Sequence, residues 1–362
     1  MTAANAVLTL MWVGITAYAL FGGADFGAGF WDLLAGGPAR GARQRSLIEH
    51  TIGPVWEANH VWLIFALVIL WTGFPSAFAQ VMSTLYVPLT LAAIGIILRG
   101  SGFAFRKAAV TVETQRIFGA VFALSSVLTP FFLGAVAGAV ASGRVPAGTT
   151  PGDPVASWWN ATSVLGGTLA VATCAYLAAV YLTVEARRRG EHELVQAFRK
   201  RALASGLAAG AIALIGIAVL HADARQLFEG LAGRAAPLII LSGAAGVATL
   251  VLVVRRSYVW ARLAAALAVT AVVWGWGVGQ YPYLLEGTVT IKQASGAPAT
   301  LRAMLLSLAV GAVLLVPSLA ALLVLAGRGD LELGDQPVSG GDESLPAGPD
   351  PDDVAGERRS GT

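Results

Sequence analysis

Long apolar stretches, separated by short polar or basic segments, recur along the chain from about residue 6 to residue 326. A hydrocarbon core of about 30 Å needs roughly 20 apolar residues in a helix. Nine stretches reach or approach that length: about 6–34, 51–72, 77–101, 117–141, 159–185, 202–221, 235–254, 259–280 and 301–326. In lipid the backbone must satisfy its own hydrogen bonds, and runs this long suit helices better than the shorter, alternating strands of a barrel. The pattern predicts an all-α polytopic membrane protein of about nine transmembrane helices, a membrane domain over 1–326. From Gly327 the composition changes to Gly, Pro, Asp, Glu and Ser, which cannot bury enough apolar surface to fold, so 327–362 is expected to be a disordered tail.

The polar segments alternate in charge. Arg40, Arg43 and Arg45 lie in the first loop, Arg106, Lys107 and Arg116 in the third, Arg187, Arg188, Arg189, Arg199, Lys200 and Arg201 in the fifth, and Arg255, Arg256 and Arg262 in the seventh. The even loops hold Arg144, Arg225, Arg234, Lys292 and, at the edge of the last span, Arg302. The positive-inside rule makes the odd loops and the C-terminal tail cytoplasmic and puts the N-terminus outside. The stretch from Ala6 to Leu34 has no basic leader or clear small-residue cleavage site and reads as the first span, not a signal peptide.

Composition agrees, with 56% hydrophobic and 12% charged residues and a mean hydropathy of +0.70. The net charge of +3 comes from short basic clusters between apolar runs, which read as topology signals and not as a nucleic-acid surface. Cys174 is the single cysteine, which excludes an internal disulfide; it reads as a small buried hydrophobe.

Ionisable residues inside apolar runs carry the functional information, because a charge in hydrocarbon is costly and needs a partner or a water-filled cavity. Asp25 stands in Gly22-Gly23-Ala24-Asp25-Phe26-Gly27-Ala28-Gly29 of span one, Glu57 in Gly53-Pro54-Val55-Trp56-Glu57-Ala58-Asn59-His60 of span two, and Arg99 near the end of span three. The glycines around Asp25 allow close helix packing. Counted at about 1.5 Å per residue, Asp25 sits roughly 13 Å and Glu57 roughly 9 Å inside the cytoplasmic boundary. Arg99 approaches the same interface and is long enough to reach inward or to snorkel outward. Two acids and one base at similar depth suit a proton or cation half-channel opening to the cytoplasm; an ion cluster that only packs the first three helices is the alternative. A stand-alone proton-coupled secondary transporter would use the same residues, but transporter sites usually lie near the midplane on paired broken helices.

Of four histidines, His60 alone lies within a span; His50 and His192 are in or beside cytoplasmic loops and His221 is at an outer helix end. A lone membrane histidine suits a packing or relay role better than axial ligation of haem, and no metal site is expected. Glu57 and His60 are three apart on one face, with His50 nearly in the same row, as in a proton relay.

Gly-x-Ala-Asp25-Phe-Gly, the block Gly53-Pro-Val-Trp-Glu-Ala-Asn-His-Val-Trp-Leu63, Arg99 with Gly-Ser-Gly-Phe-Ala-Phe-Arg106, and Gln280-Tyr-Pro-Tyr-Leu-Leu with Thr288-Val-Thr-Ile-Lys-Gln-Ala-Ser295 together resemble subunit II of cytochrome bd-type quinol oxidases. The Trp56-Glu57-Ala58-Asn59-His60 variant also resembles members called cyanide-insensitive oxidases. Some relatives carry two aspartates in the span-one block, where this chain has Gly22 at the first position, and an aspartate where it has Glu57. The resemblance implies a bacterial cytoplasmic-membrane heterodimer of the respiratory chain. In it a haem-bearing subunit I holds two b-type haems and one d-type haem and oxidises quinol, while subunit II ligates no haem. It further implies two four-helix bundles plus a peripheral helix, contacts with lipid, room for a small accessory subunit, and a stabilising role combined with a cytoplasmic proton path through Asp25, Glu57, His60 and Arg99. A purely structural subunit with no proton role is the rival reading.

Overall fold

The computed structural model describes residues 2–327 except 53–55, 110 and 149, and leaves undescribed the side chains of 38–40, 52, 56–58, 107, 112, 315–316, 319–320 and 322–327. The tail expected to be disordered therefore lies, from Arg328 on, outside the described residues. The chain divides into two compact units, 1–306 and 307–362; the site described below lies wholly in the first. The second is described as the remainder of one helix, to Gly327.

Helices α1 (Ala3–Ala17) and α2 (Gly23–Leu33) are joined by a single π-helical turn, Tyr18–Gly22, and together make the first span. Then follow α3 (Pro38–Ile52), α4 (Trp56–Gly73), α5 (Pro75–Thr84), α6 (Tyr86–Ala108), α7 (Val112–Ala141), α8 (Ala161–Arg188), α9 (His192–Asp223), α10 (Arg225–Ala232), α11 (Ala236–Val254) and α12 (Tyr258–Gln280). A hairpin of β1 (Tyr283–Leu285) and β2 (Val289–Thr290), with Tyr283 opposite Thr290 and Leu285 opposite Val289, leads into α13 (Ile291–Ala294) and α14 (Pro298–Gly327). Among the described residues seven helices are long and apolar enough to cross a membrane, or eight if the bent α4–α5 pair is one span; the apolar part of α14, Pro298–Leu314, is shorter.

Three boundaries differ from the hydropathy reading. The third span was expected from about residue 77, but α4 and α5 meet at 116° across Phe74, and the spanning helix runs Tyr86–Arg106. Pro75 starts α5, where its missing N–H costs nothing. The Gly73 carbonyl, released at the break, accepts from Gly296 N at 2.8 Å. Thr51 and Ile52 are the last described residues of α3 and α4 is described from Trp56; the start expected for span two, about residue 51, adjoins 53–55, which lie outside the described residues. Arg106 ends the third span and Arg199–Arg201 lie on α9, because helices continue past the membrane boundary that apolar composition marks.

The core of the first unit forms around α8. Its residues Ala175–Val180 pack with Trp31, Phe198, Ala261 and Ala265, and α2 lies against both α7 and α8. Gly27 makes the α2–α8 contact possible: a Cβ there would stand 1.8 Å from the Cys174 carbonyl oxygen. Trp31 Nε1 donates to the Ala175 carbonyl at 2.8 Å, pinning the end of α2 to α8. Cys174 is buried, as expected of a small hydrophobe.

Candidate functional site

Asp25 opens α2 and meets Arg99 of α6. Asp25 Oδ1 accepts from Arg99 Nη2 at 2.5 Å, with the two side chains only 2% and 1% exposed. Arg99 Nη2 also donates to the Asp25 carbonyl at 3.3 Å, and Nε donates to Ser126 Oγ of α7 at 3.0 Å. The guanidinium carbon lies 5.0 Å from the Phe26 ring centre and 4.9 Å from that of Phe122, two cation–π contacts. Burying two charges costs several kcal/mol per ion, and only such a set of direct contacts offsets it. The sequence left open whether Arg99 turns inward or snorkels; it turns inward.

Seven residues further along both helices the arrangement repeats. Arg106 Nη1 donates to Asp32 Oδ2 at 2.5 Å, and Arg106 Nη2 donates to Glu49 of α3. Arg45 Nε lies 3.0 Å from Asp32 Oδ1, a salt bridge whose angle does not make a good hydrogen bond. Both rungs join residues 74 apart in the chain, so α2 and α6 run in the same direction, with about 10.5 Å of helix between rungs. Phe122 lies between the rungs, 4.9 Å from the Arg99 guanidinium carbon and 5.8 Å from that of Arg106. Gly29 and Gly102 let α7 approach this closely, since a Cβ at Gly29 would meet Ser126 Oγ at 2.1 Å and one at Gly102 would meet Phe122 N at 3.0 Å.

The other predicted residues are placed less completely. The side chain of Glu57, in the first turn of α4, lies outside the described residues. His60 packs against the rings of Tyr18 and Phe26, at 6.2 and 6.1 Å between centres. His60 Nδ1, Tyr18 Oη and Asp25 Oδ2 are buried and have no hydrogen-bond partner among the described residues. His50 is on α3, exposed, with Nδ1 2.8 Å from the Ser46 carbonyl oxygen of its own helix. The row counted from His50 to Glu57 passes through 53–55, which lie outside the described residues; His50 itself is engaged locally.

A family model described as cytochrome bd terminal oxidase subunit II matches residues 3–326. The chain belongs to this family. A putative cytochrome bd menaquinol oxidase subunit II of Bacillus subtilis is 23% identical over 87% of this chain and 93% of its own. A cytochrome bd ubiquinol oxidase subunit 2 of the same organism is 27% identical over 45% of this chain; the match spans about half of that relative, 47%. The solved structure of bd oxidase from Geobacillus thermodenitrificans contains a chain similar to this one at a TM-score of 0.73 and 25% identity, covering 90% of this chain and 98% of that one.

For a bd-family subunit the fit of haem to these residues matters. His60, the span histidine, is half-buried with the Tyr18 and Phe26 ring centres about 6 Å from its own. Among the described residues no group of three or more His, Cys, Asp or Glu could hold a metal ion.

Sequence reasoning missed Asp32, Glu49, Phe122 and Ser126, and took Arg106 as a loop charge and as the end of the Arg99 block, not as a site residue. One signal was present. Asp25 and Asp32, like Arg99 and Arg106, are seven apart, two helical turns, so each pair shares a face. At the even-loop end a further acid was missed: Glu286, in the turn after β1, is 4% exposed and its Oε2 has no partner among the described residues. Burial pushes its carboxyl up to about 7, against the opposing pull of Arg234.

Proposed function

We propose that this chain is the haem-free second subunit of a bacterial cytochrome bd-type quinol oxidase, stabilising a haem-bearing subunit I and supplying a proton path from the cytoplasm. In this reading the odd loops are cytoplasmic, the N-terminus is outside, and the spans form two four-helix bundles plus a peripheral helix. The b- and d-type haems and the quinol belong to the partner subunit. Reduction of oxygen to water consumes protons, and an inner entry in this subunit separates charge without a pump. The path uses Asp25, Glu57, His60 and Arg99. The observation that carries it is the buried Asp25–Arg99 pair, in which one carboxylate oxygen is fixed and the other is left without a partner among the described residues. Arg99 orients the carboxylate, and the free oxygen can take a hydrogen bond from water.

Glu57→Gln tests the reading, because it keeps the volume and removes the exchangeable proton. Oxygen consumption should fall several-fold with haem content unchanged, and Glu57→Asp should restore much of it. Turnover of Glu57→Gln at the unmodified rate would make the subunit purely structural. The buried pair could serve that role too, since it joins α2, α6 and α7.

A further inference from the structure

The second rung borders a cavity that the path through Asp25 does not use. About 760 Å³ in volume, it is lined by Asp32, Arg45, Glu49 and Arg106 together with Arg116 and Ala123 of α7. These lie at the ends of α2 and α6, along the second half of α3 and in the first turns of α7, the end that carries the basic odd loops. Three arginines and two carboxylates around one volume make a wall that water wets and hydrocarbon does not. Between this cavity and the Asp25–Arg99 pair lies the Phe122 ring, 2% exposed, with an arginine on either side. A phenyl ring offers no site for a proton and interrupts any chain of waters. The residue one turn further, Ser126, is already on the far side, bonded to Arg99.

We propose that this cavity is the aqueous entry for protons on the cytoplasmic side and that Phe122 is the plug between it and the Asp25–Arg99 pair. The ion pairs of Asp32 and Glu49 with Arg45 and Arg106 hold the mouth open by tying α2, α3 and α6 together. A change of the Phe122 rotamer joins the cavity to Arg99 without moving a helix, because the ring is held at its two sides by cations and not by a hydrogen bond. The inference rests on the proton path proposed above.

The test uses the intact oxidase in inverted membrane vesicles, with the cytoplasmic face outward and the buried native Cys174 as background. Ala123→Cys should react with a cationic, membrane-impermeant methanethiosulfonate, and oxygen consumption should then fall several-fold. Ser126→Cys should resist the same reagent while Phe122 is present and react at least about tenfold faster in combination with Phe122→Ala, or with Phe122→Leu if haem content shows that the alanine variant does not assemble. If Ala123→Cys reacts only with a neutral hydrophobic maleimide, the cavity is lined by lipid and the entry is overturned. Modification that leaves turnover unchanged overturns it as well. Ser126→Cys reacting equally with and without Phe122, or in neither case, removes the plug. Glu57→Gln is read without any thiol reagent: if it is slow while modified Ala123→Cys runs normally, the entry fails and the path stands. If it runs at full rate while labelled Ala123→Cys is slow, the path through Glu57 fails and the entry stands.

Discussion

Asp25 and Arg99, 74 residues apart in the chain, meet at 2.5 Å with almost no exposed side-chain surface on either. The pair fixes the relative depth of α2 and α6, because displacing either helix would leave one buried charge alone. Its energetic signature is asymmetry between single and double replacement. Arg99→Met should destabilise the subunit by about 3–5 kcal/mol, the usual cost of a buried charge left unpaired. Asp25→Leu with Arg99→Met should lie closer to the unmodified protein than Arg99→Met alone. Thermal inactivation of the purified complex, with haem content recorded, measures both; a double variant as unstable as the sum of the two singles would show that the residues are not coupled.

Close packing of α2 on α8 gives a second expectation. Gly27→Ala would place a methyl 1.8 Å from the Cys174 carbonyl oxygen and 2.8 Å from Ala178 Cβ, contacts that only a helix displacement relieves. The variant should lose most assembled, haem-containing complex. Gly210→Ala of α9 meets nothing within 4 Å and should be neutral or slightly stabilising, since alanine favours a helix by up to about 1 kcal/mol over glycine. Comparing membrane levels of the two variants decides the matter.

Glu286 predicts a pH dependence of stability with an unusual sign for a carboxylate. Its folded value, about 7, lies above the ordinary 4.5, so between these pH values the folded protein holds a proton that the unfolded chain has released. Stability contributed by this group is therefore full below 4.5 and declines as pH rises to about 7. Glu286→Gln should flatten that part of the curve and raise the melting temperature at pH 8. An unchanged slope in the glutamine variant would assign the dependence to another group.

Apolar run length and the alternation of basic loops are enough to read this chain as a helical membrane protein, because spanning imposes a length and a composition on each segment separately. Asp25, Glu57, His60 and Arg99 were legible as candidates for the same reason: ionisable residues are rare in hydrocarbon. Run length has no azimuth, however, and could not say that Arg99 turns to Asp25 or that Phe74–Pro75 bends the chain between two equally apolar segments. Asp32 and Arg106 stood at helix ends, where a charge is cheap and draws no notice. Only the packing of α2, α6 and α7 makes them the second rung and gives Phe122 its place between two arginines. The chain alone determined which residues are costly to bury; the tertiary structure decided which partners bury them, because pairing depends on helix rotation and depth, and these are set jointly by glycine contacts between helices distant in sequence.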